Sequence, residues 1–169
     1  MALTIRPACL ADAQDLAEIF ASSWRSAYTG IIPQAEIDRR DCAMRETQFR
    51  VSLTAPDHGF YLTLLDGRPC GTFIIGPSRN ADLPDWGEIR SFYTLESVWG
   101  TGVAQDMMAS ALDRLHEQGY SDVFLWVLTE NPRARRFYER FGFQPDGHCQ
   151  EAYPGVSELR YIHAQDCDM

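Results

Sequence analysis

The stretch that most constrains this chain runs from Ile89 to His116: a strand pattern, a loop holding Gly100 and Gly102, and then a helical pattern. Met107, Met108, Ala111, Leu112 and Leu115 recur at helical spacing, so one stripe of that helix can pack on a sheet. The two glycines let the backbone bend tightly and put no side chains over the loop. The first amides of such a helix have no partner within it, and they carry the positive end of the helix dipole. Strand, tight loop and helix in that order form a corner suited to a phosphate or pyrophosphate. An ordinary strand-to-helix turn with two glycines is the alternative, because short glycine motifs match by chance. The lysine-bearing loop G-x-x-x-x-G-K-[ST] is absent, and Gly100-Thr101-Gly102 lacks the third glycine of G-x-G-x-x-G.

Around this corner the other elements fall in order. Leu3 to Arg6 alternates and is halted by Pro7, which predicts an opening strand. Asp12 to Tyr28 predicts a helix with Leu16, Ile19, Phe20 and Trp24 on its buried stripe. Gln34 to Leu53 is a second helical region, in one piece or two. Phe60 to Leu65, Asp66-Gly67 and Cys70 to Ile75 carry the clearest hairpin signal. After a polar loop, Glu88 to Leu95 predicts the strand that leads into the glycine corner. Val123 to Leu128 is a nearly continuous apolar run, as in a buried parallel strand. Asn131-Pro132 opens a short helix to Phe141, and two strands follow around Phe143 to Glu151 and Ser157 to His163. The expectation is one α/β domain spanning 1–169, a mixed layer structure around a central sheet, with no repeat or linker.

Composition narrows the partners. Among 169 residues the formal net charge is −9, which argues against a nucleic-acid partner and favours cationic acceptors such as amines. The same charge works against an anionic cofactor unless basic groups cluster locally. Cys9, Cys42, Cys70, Cys149 and Cys167 are odd in number and scattered, so neither a disulfide framework nor a zinc site is expected. The histidines show no metal-ligand spacing, and no metal is expected. No leader-like or membrane-spanning pattern occurs, so the expectation is no membrane partner and a cytoplasmic protein.

Trp99-Gly100-Thr101-Gly102-Val103-Ala104 resembles motif A of the GNAT acetyltransferase superfamily, [QR]-x-x-G-x-[GA], with Trp99 departing at the first position. Asn131 to Phe143 resembles a second motif of the same superfamily, N-x-x-A-x-x-x-Y-x-x-x-G-F. The element order also matches, so the resemblance covers nearly the whole chain. It implies the GNAT fold, a mixed sheet of about seven strands flanked by about four helices. It also implies acetyl-CoA as co-substrate and transfer of its acetyl group to an amine.

The resemblance distributes roles over named residues. Backbone amides of Trp99, Gly100, Thr101, Gly102, Val103 and Ala104 would hold the pyrophosphate, and the strand edge Phe92-Tyr93-Thr94 would pair with the pantetheine arm. Asn131 would hydrogen-bond the arm or simply cap the helix that follows it. Tyr138 would protonate the leaving thiolate, its phenol (unperturbed pKa about 10) being protonated at neutral pH; a packed aromatic is the bland alternative. Glu88 is the candidate base, with Asp85 and Glu151 behind it, against a solvated strand-end carboxylate. Arg136, with Arg133 and Arg135, would meet the 3′-phosphate, or Arg135 and Arg136 would pair with Glu130 and Glu139 along the helix.

Trp24 and Tyr28 are the candidates for the acceptor pocket, with a core role the alternative for Trp24; His58, Trp86 and Tyr153 are loop-borne candidates. The expected reaction is direct attack by the amine in a ternary complex, with no acetyl-cysteine at Cys70 or Cys149. The acceptor would be a small-molecule or peptide amine; the sequence leaves the oligomeric state open, with a homodimer one possible assembly, since dimers are common among proteins that resemble this one and are the commonest oligomers. Two other readings stay in view: a catalytically idle acyl-CoA sensor on the same fold, and an unrelated nucleotide-binding α/β domain.

Overall fold

Hairpin chemistry builds the first part of the sheet. Asp66 and Gly67 both take positive φ, 51° and 78°, as a two-residue turn between right-twisted strands requires. They join β2 (Phe60–Leu65) to β3 (Arg68–Pro77). β1 (Leu3–Pro7) adds to β2 antiparallel, and Ala2 N donates to Asp66 Oδ1 at 2.8 Å, pinning the chain start to the turn. Pro7 ends β1 from inside the strand rather than outside it. These elements come from a computed structural model that describes residues 1–165.

Three helices follow β1 where two helical regions are predicted. α1 (Ala13–Tyr28) is preceded by one tight turn at Leu10–Asp12, and Gln34 to Leu53 divides into α2 (Gln34–Arg39) and α3 (Cys42–Ser52). Asp41 causes the division: its carboxylate accepts from Met44 N at 2.8 Å and caps a new helix. The remaining elements are β4 (Gly87–Thr94), α4 (Val103–Glu117), β5 (Val123–Leu128), α5 (Pro132–Arg140), β6 (Gln144–Tyr153) and β7 (Val156–His163). The seven strands form one mixed sheet in the order β1-β2-β3-β4-β5-β7-β6. β4 and β5 are parallel over Gly87–Ile89 against Val123–Leu125, and β7 returns antiparallel to β5.

The described chain gathers into two compact units: Met1–Ile75 with Ser91–Ala111, and Gly76–Arg90 with residues 112–165. In the first unit, Leu16, Ile19 and Phe20 of α1 and Phe49 of α3 bury against Phe60, Leu62 and Ile74. Burying such side chains contributes roughly 1.5–3 kcal/mol each. In the second unit, Val123, Phe124, Leu125, Phe143 and Tyr161 are almost wholly inaccessible to water. The four described cysteines are free thiols; Cys167 lies outside the described residues.

Candidate active site

The corner after β4 has the geometry its glycines require. Gly100 and Gly102 sit at φ +75° and +92°, and a Cβ on either would meet nothing within 4 Å. Backbone conformation, not crowding, therefore selects glycine at both positions. Thr101 Oγ1 donates to Val98 O at 2.6 Å, which closes the turn. Asp106 N reaches back to Gly102 O at 3.2 Å, so the amides of residues 102 to 105 precede the helical ladder of α4. A donor row of this kind, open above and at the positive end of a 15-residue helix, fits a pyrophosphate.

Trp99 does a separate job. Its indole N–H donates to Thr94 O at 3.3 Å, and Ser23 Oγ donates to the same carbonyl at 3.3 Å. The side chain at the departing motif position thus ties the loop to the end of β4, while the backbone carries the motif's geometry. Leu95 N adds a bond of 2.8 Å to Cys70 O.

On the same unit, Tyr93 of β4 is the hub of an aromatic group. Trp24 Nε1 donates to the Tyr93 hydroxyl at 3.2 Å, and the Tyr28 hydroxyl donates to it at 3.3 Å. Phe20 packs edge-on against the Tyr93 ring, with centroids 4.9 Å apart. The Arg45 guanidinium lies 4.5 Å from the Trp24 ring centroid and that of Arg40 lies 5.3 Å from it, within cation–π range. Trp24 is buried, as the core alternative expects, while Tyr28 is half-buried.

Within the other unit, Asn131 caps α5: its Oδ1 accepts from Ala134 N at 3.2 Å, and its carbonyl accepts from Arg135 N at 3.1 Å. Capping uses the amide oxygen and leaves the amide NH2 as a donor, so cap and ligand roles are compatible. Tyr138 is buried, its ring 5.6 Å from Phe137 and 6.0 Å from Phe143. Arg135 does not join Arg136 in a basic cluster. Its Nε donates to the Tyr161 hydroxyl at 2.9 Å and its Nη1 to Thr129 O at 3.2 Å, and the bond to Tyr161 is the main influence raising its pKa. The Tyr161 hydroxyl donates a hydrogen bond to Glu139 Oε1 at 2.8 Å, so the expected helix-surface pairing runs through a buried phenol instead. Burial is the main influence pushing that phenol's pKa up. Arg136 is exposed.

Glu88 is not the solvated strand-end carboxylate of the alternative reading, because only 2% of the residue is exposed. Both of its oxygens are engaged by Arg79, through the backbone N–H at 3.0 Å and through Nη2 at 2.7 Å and Nε. The bonds to Glu88 raise the Arg79 pKa. With those acceptors committed, Glu88 fastens the loop after β3 to the sheet. As a base it would act only after Arg79 let go.

The same loop is fastened twice more. Trp126 Nε1 donates to Asn80 Oδ1 at 3.3 Å, and the buried Arg160 donates through Nη1 to Asp82 Oδ2 at 2.7 Å. Arg160 also reaches Asp146 at 2.6 Å and His148 Nδ1 at 2.9 Å, and its guanidinium lies 5.8 Å from the Trp126 ring centroid. Hydrogen bonding to Arg160 lowers the Asp82 pKa. Sequence reasoning missed this cluster because its members lie up to 78 positions apart. The buried Cys70 thiol is pushed up by desolvation, which disfavours a thiolate. Among the described residues no group of three or more metal-ligating side chains is arranged to hold an ion. No helix there is long and apolar enough to cross a membrane.

Sheet order and the two helix starts define a mixed α/β fold of the acetyltransferase type, and the comparisons agree. PaiA N-acetyltransferase from Thermoplasma acidophilum, solved in complex with coenzyme A, superposes with a TM-score of 0.78 over 96% of this chain and 100% of that one, at 15% identity. The family model described as "Acetyltransferase (GNAT) family" matches residues 14–143, and the chain belongs to that family. The uncharacterised N-acetyltransferase YuaI of Bacillus subtilis is 28% identical over 131 residues, covering 77% of this chain and 74% of that protein. An uncharacterised N-acetyltransferase of Mycobacterium bovis is 28% identical over 159 residues, covering 89% of this chain and 99% of that one.

Proposed function

We propose that this protein transfers an acetyl group from acetyl-CoA to a primary amine, by direct attack of the amine in a ternary complex. The observation that carries the reading is the glycine corner at α4, whose amides at 102 to 105 precede the helical ladder under open space. The coenzyme A bound to the Thermoplasma acidophilum relative supports acetyl-CoA as donor. Of the amides at 99 to 104, Trp99 N and Thr101 N are already bonded to Glu96 O and Val98 O, so those of Gly102, Val103 and Ala104 hold the pyrophosphate, and the backbone of Phe92, Tyr93 and Thr94 pairs with the pantetheine arm. Asn131 donates its free NH2 to that arm. Arg136, exposed where Arg135 is committed, meets the 3′-phosphate.

In the transfer, the lone pair of the neutral amine attacks the thioester carbonyl, the C–S bond breaks, and Tyr138 gives its proton to the leaving sulfur; the proton shed by the new amide nitrogen passes through water to the Tyr138 phenolate, leaving an amide, a free thiol and the phenol restored. The acceptor is a small-molecule or peptide amine, and it meets the chain near Trp24 and Tyr28. The raised Cys70 thiol weighs against an acetyl-cysteine route. The test is release of free CoA thiol from acetyl-CoA across a panel of amines, with wild type and Tyr138→Phe side by side. Amine-dependent release that drops in the variant supports the reading. Acetyl-CoA binding with no turnover on any amine would favour an idle acyl-CoA sensor, and no binding at all would sink both.

A further inference from the structure

α5 is only nine residues long, and its aromatic rings pack through Phe137, Tyr138 and the cap Phe141, with Tyr138 also against Phe143. Apolar packing is non-directional, so by itself it leaves a short helix free to roll or slide by fractions of a turn. Hydrogen bonds are directional and stop such motion. Arg135 and Glu139 stand four positions apart on one face of α5, where an ordinary surface pair would contribute little. Here a side chain from β7 intervenes. Tyr161, 0% exposed, accepts from Arg135 Nε at 2.9 Å and donates to Glu139 Oε1 at 2.8 Å.

The chemistry admits one arrangement. A guanidinium can only donate and an ionised carboxylate can only accept, so the hydroxyl between them must take one proton and give its own. The guanidinium also donates to Thr129 O at 3.2 Å, two residues before the cap Asn131. One buried phenol and one guanidinium therefore join the end of β5, the middle of β7 and both turns of α5. Tyr138 lies between the two clamped positions, three after Arg135 and one before Glu139.

We infer that Tyr161 is a positioning residue: the Arg135–Tyr161–Glu139 clamp sets the rotation of α5 and with it the place of the Tyr138 hydroxyl. This rests on the proposed role of Tyr138, but the clamp itself can be tested without turnover. Protein labelled with 13C at the tyrosine Cζ is compared as wild type and Tyr161→Phe, with the Tyr138 resonance identified by its loss in Tyr138→Phe. The clamp predicts that the Tyr138 resonance moves in Tyr161→Phe; an unmoved resonance overturns the inference, whatever the protein's activity.

The second arm is kinetic. Tyr161→Phe should lower kcat roughly 10-fold with KM for acetyl-CoA within about twofold, because misplacement by a fraction of an ångström acts on the chemical step. In a Tyr138→Phe background the same change should cost nothing further. Losses that multiply in the double variant overturn the positioning role, since a generally weakened fold would lower both backgrounds alike. If Tyr138→Phe keeps full activity, the acid role of Tyr138 fails, and if no amine supports turnover in wild type, the proposed function fails; in either case the resonance still decides the clamp. Should Tyr161→Phe not fold, Glu139→Ala removes the other end of the clamp, the carboxylate that accepts from Tyr161, at an exposed helix position, with the same expected movement of Tyr138.

Discussion

The two compact units hold their polar groups in opposite ways. Around Tyr93, hydroxyl and indole groups are bonded inside a nest of rings, and the neighbouring guanidinium groups lie over aromatic faces. Around Arg160, one buried cation is held by two carboxylates and an imidazole. A ring network that loses one hydroxyl keeps its packing. An ionic network that loses its cation leaves a carboxylate that is largely shielded from water, here Asp146, without the guanidinium that held it. The first unit should therefore absorb single deletions that the second cannot.

The sharpest way to break this contrast is Arg160→Leu, which leaves Asp146, its side chain only 14% exposed, without the guanidinium that bonds it at 2.6 Å. The expected loss is about 3 kcal/mol or more, measured by urea unfolding. A loss under about 1 kcal/mol would mean that water replaces the guanidinium and the contrast is false. Next comes chemistry rather than stability. Tyr138→Phe should lower kcat by about 10²-fold while the unfolding midpoint barely moves, since only a hydroxyl is removed.

The first unit has one ion pair that tests the rule from the other side. Asp12 accepts from Arg6 Nη1 at 2.7 Å and from Cys9 N at 2.8 Å, and its pKa falls to about 2, chiefly through Arg6. Its folded value lies below the ordinary 3.8, so its stabilisation is complete above about pH 4 and is lost as pH falls toward 2. Arg6 is partly exposed, which discounts the effect. Asp12→Asn should cost about 1–2 kcal/mol at pH 7, and the difference from wild type should vanish in unfolding curves near pH 2. Smallest is Tyr28→Phe, expected to cost under about 1 kcal/mol by thermal unfolding, because its 3.3 Å bond to Tyr93 is long and the ring stays packed. If Tyr28→Phe cost more than Arg160→Leu, the comparison would be reversed.

What could be foreseen from the sequence was local. Asp66-Gly67 announced its turn because two adjacent left-handed residues are a short-range requirement. Asn131-Pro132 announced a cap because capping spans three residues. Trp99 was legible as a departure from the motif, but its bond to Thr94 required knowing how the loop folds back. The pairings of Glu88 and Arg160 were illegible for a different reason. Periodicity puts Glu88 at a strand start, where a carboxylate is usually wet, and only the loop returning with Arg79 makes it dry. Likewise Arg135 and Glu139 match the helix-surface pattern, and nothing in that pattern points to a tyrosine 26 positions beyond Arg135. Local spacing could suggest which residues carry charge, but not which of those charges the fold had already spent.

β6 ends the sheet, and most of its residues are exposed. A long open strand edge invites a neighbouring molecule to add its own strand, the first step toward aggregation. Two features blunt it. Pro145 has no amide proton to offer, and the register breaks between Pro145 and Cys149, where Asp146 and His148 turn to Arg160. The cluster that latches the loop thus also spoils the edge as a template. Loosening Arg160 would cost the chain solubility as well as stability.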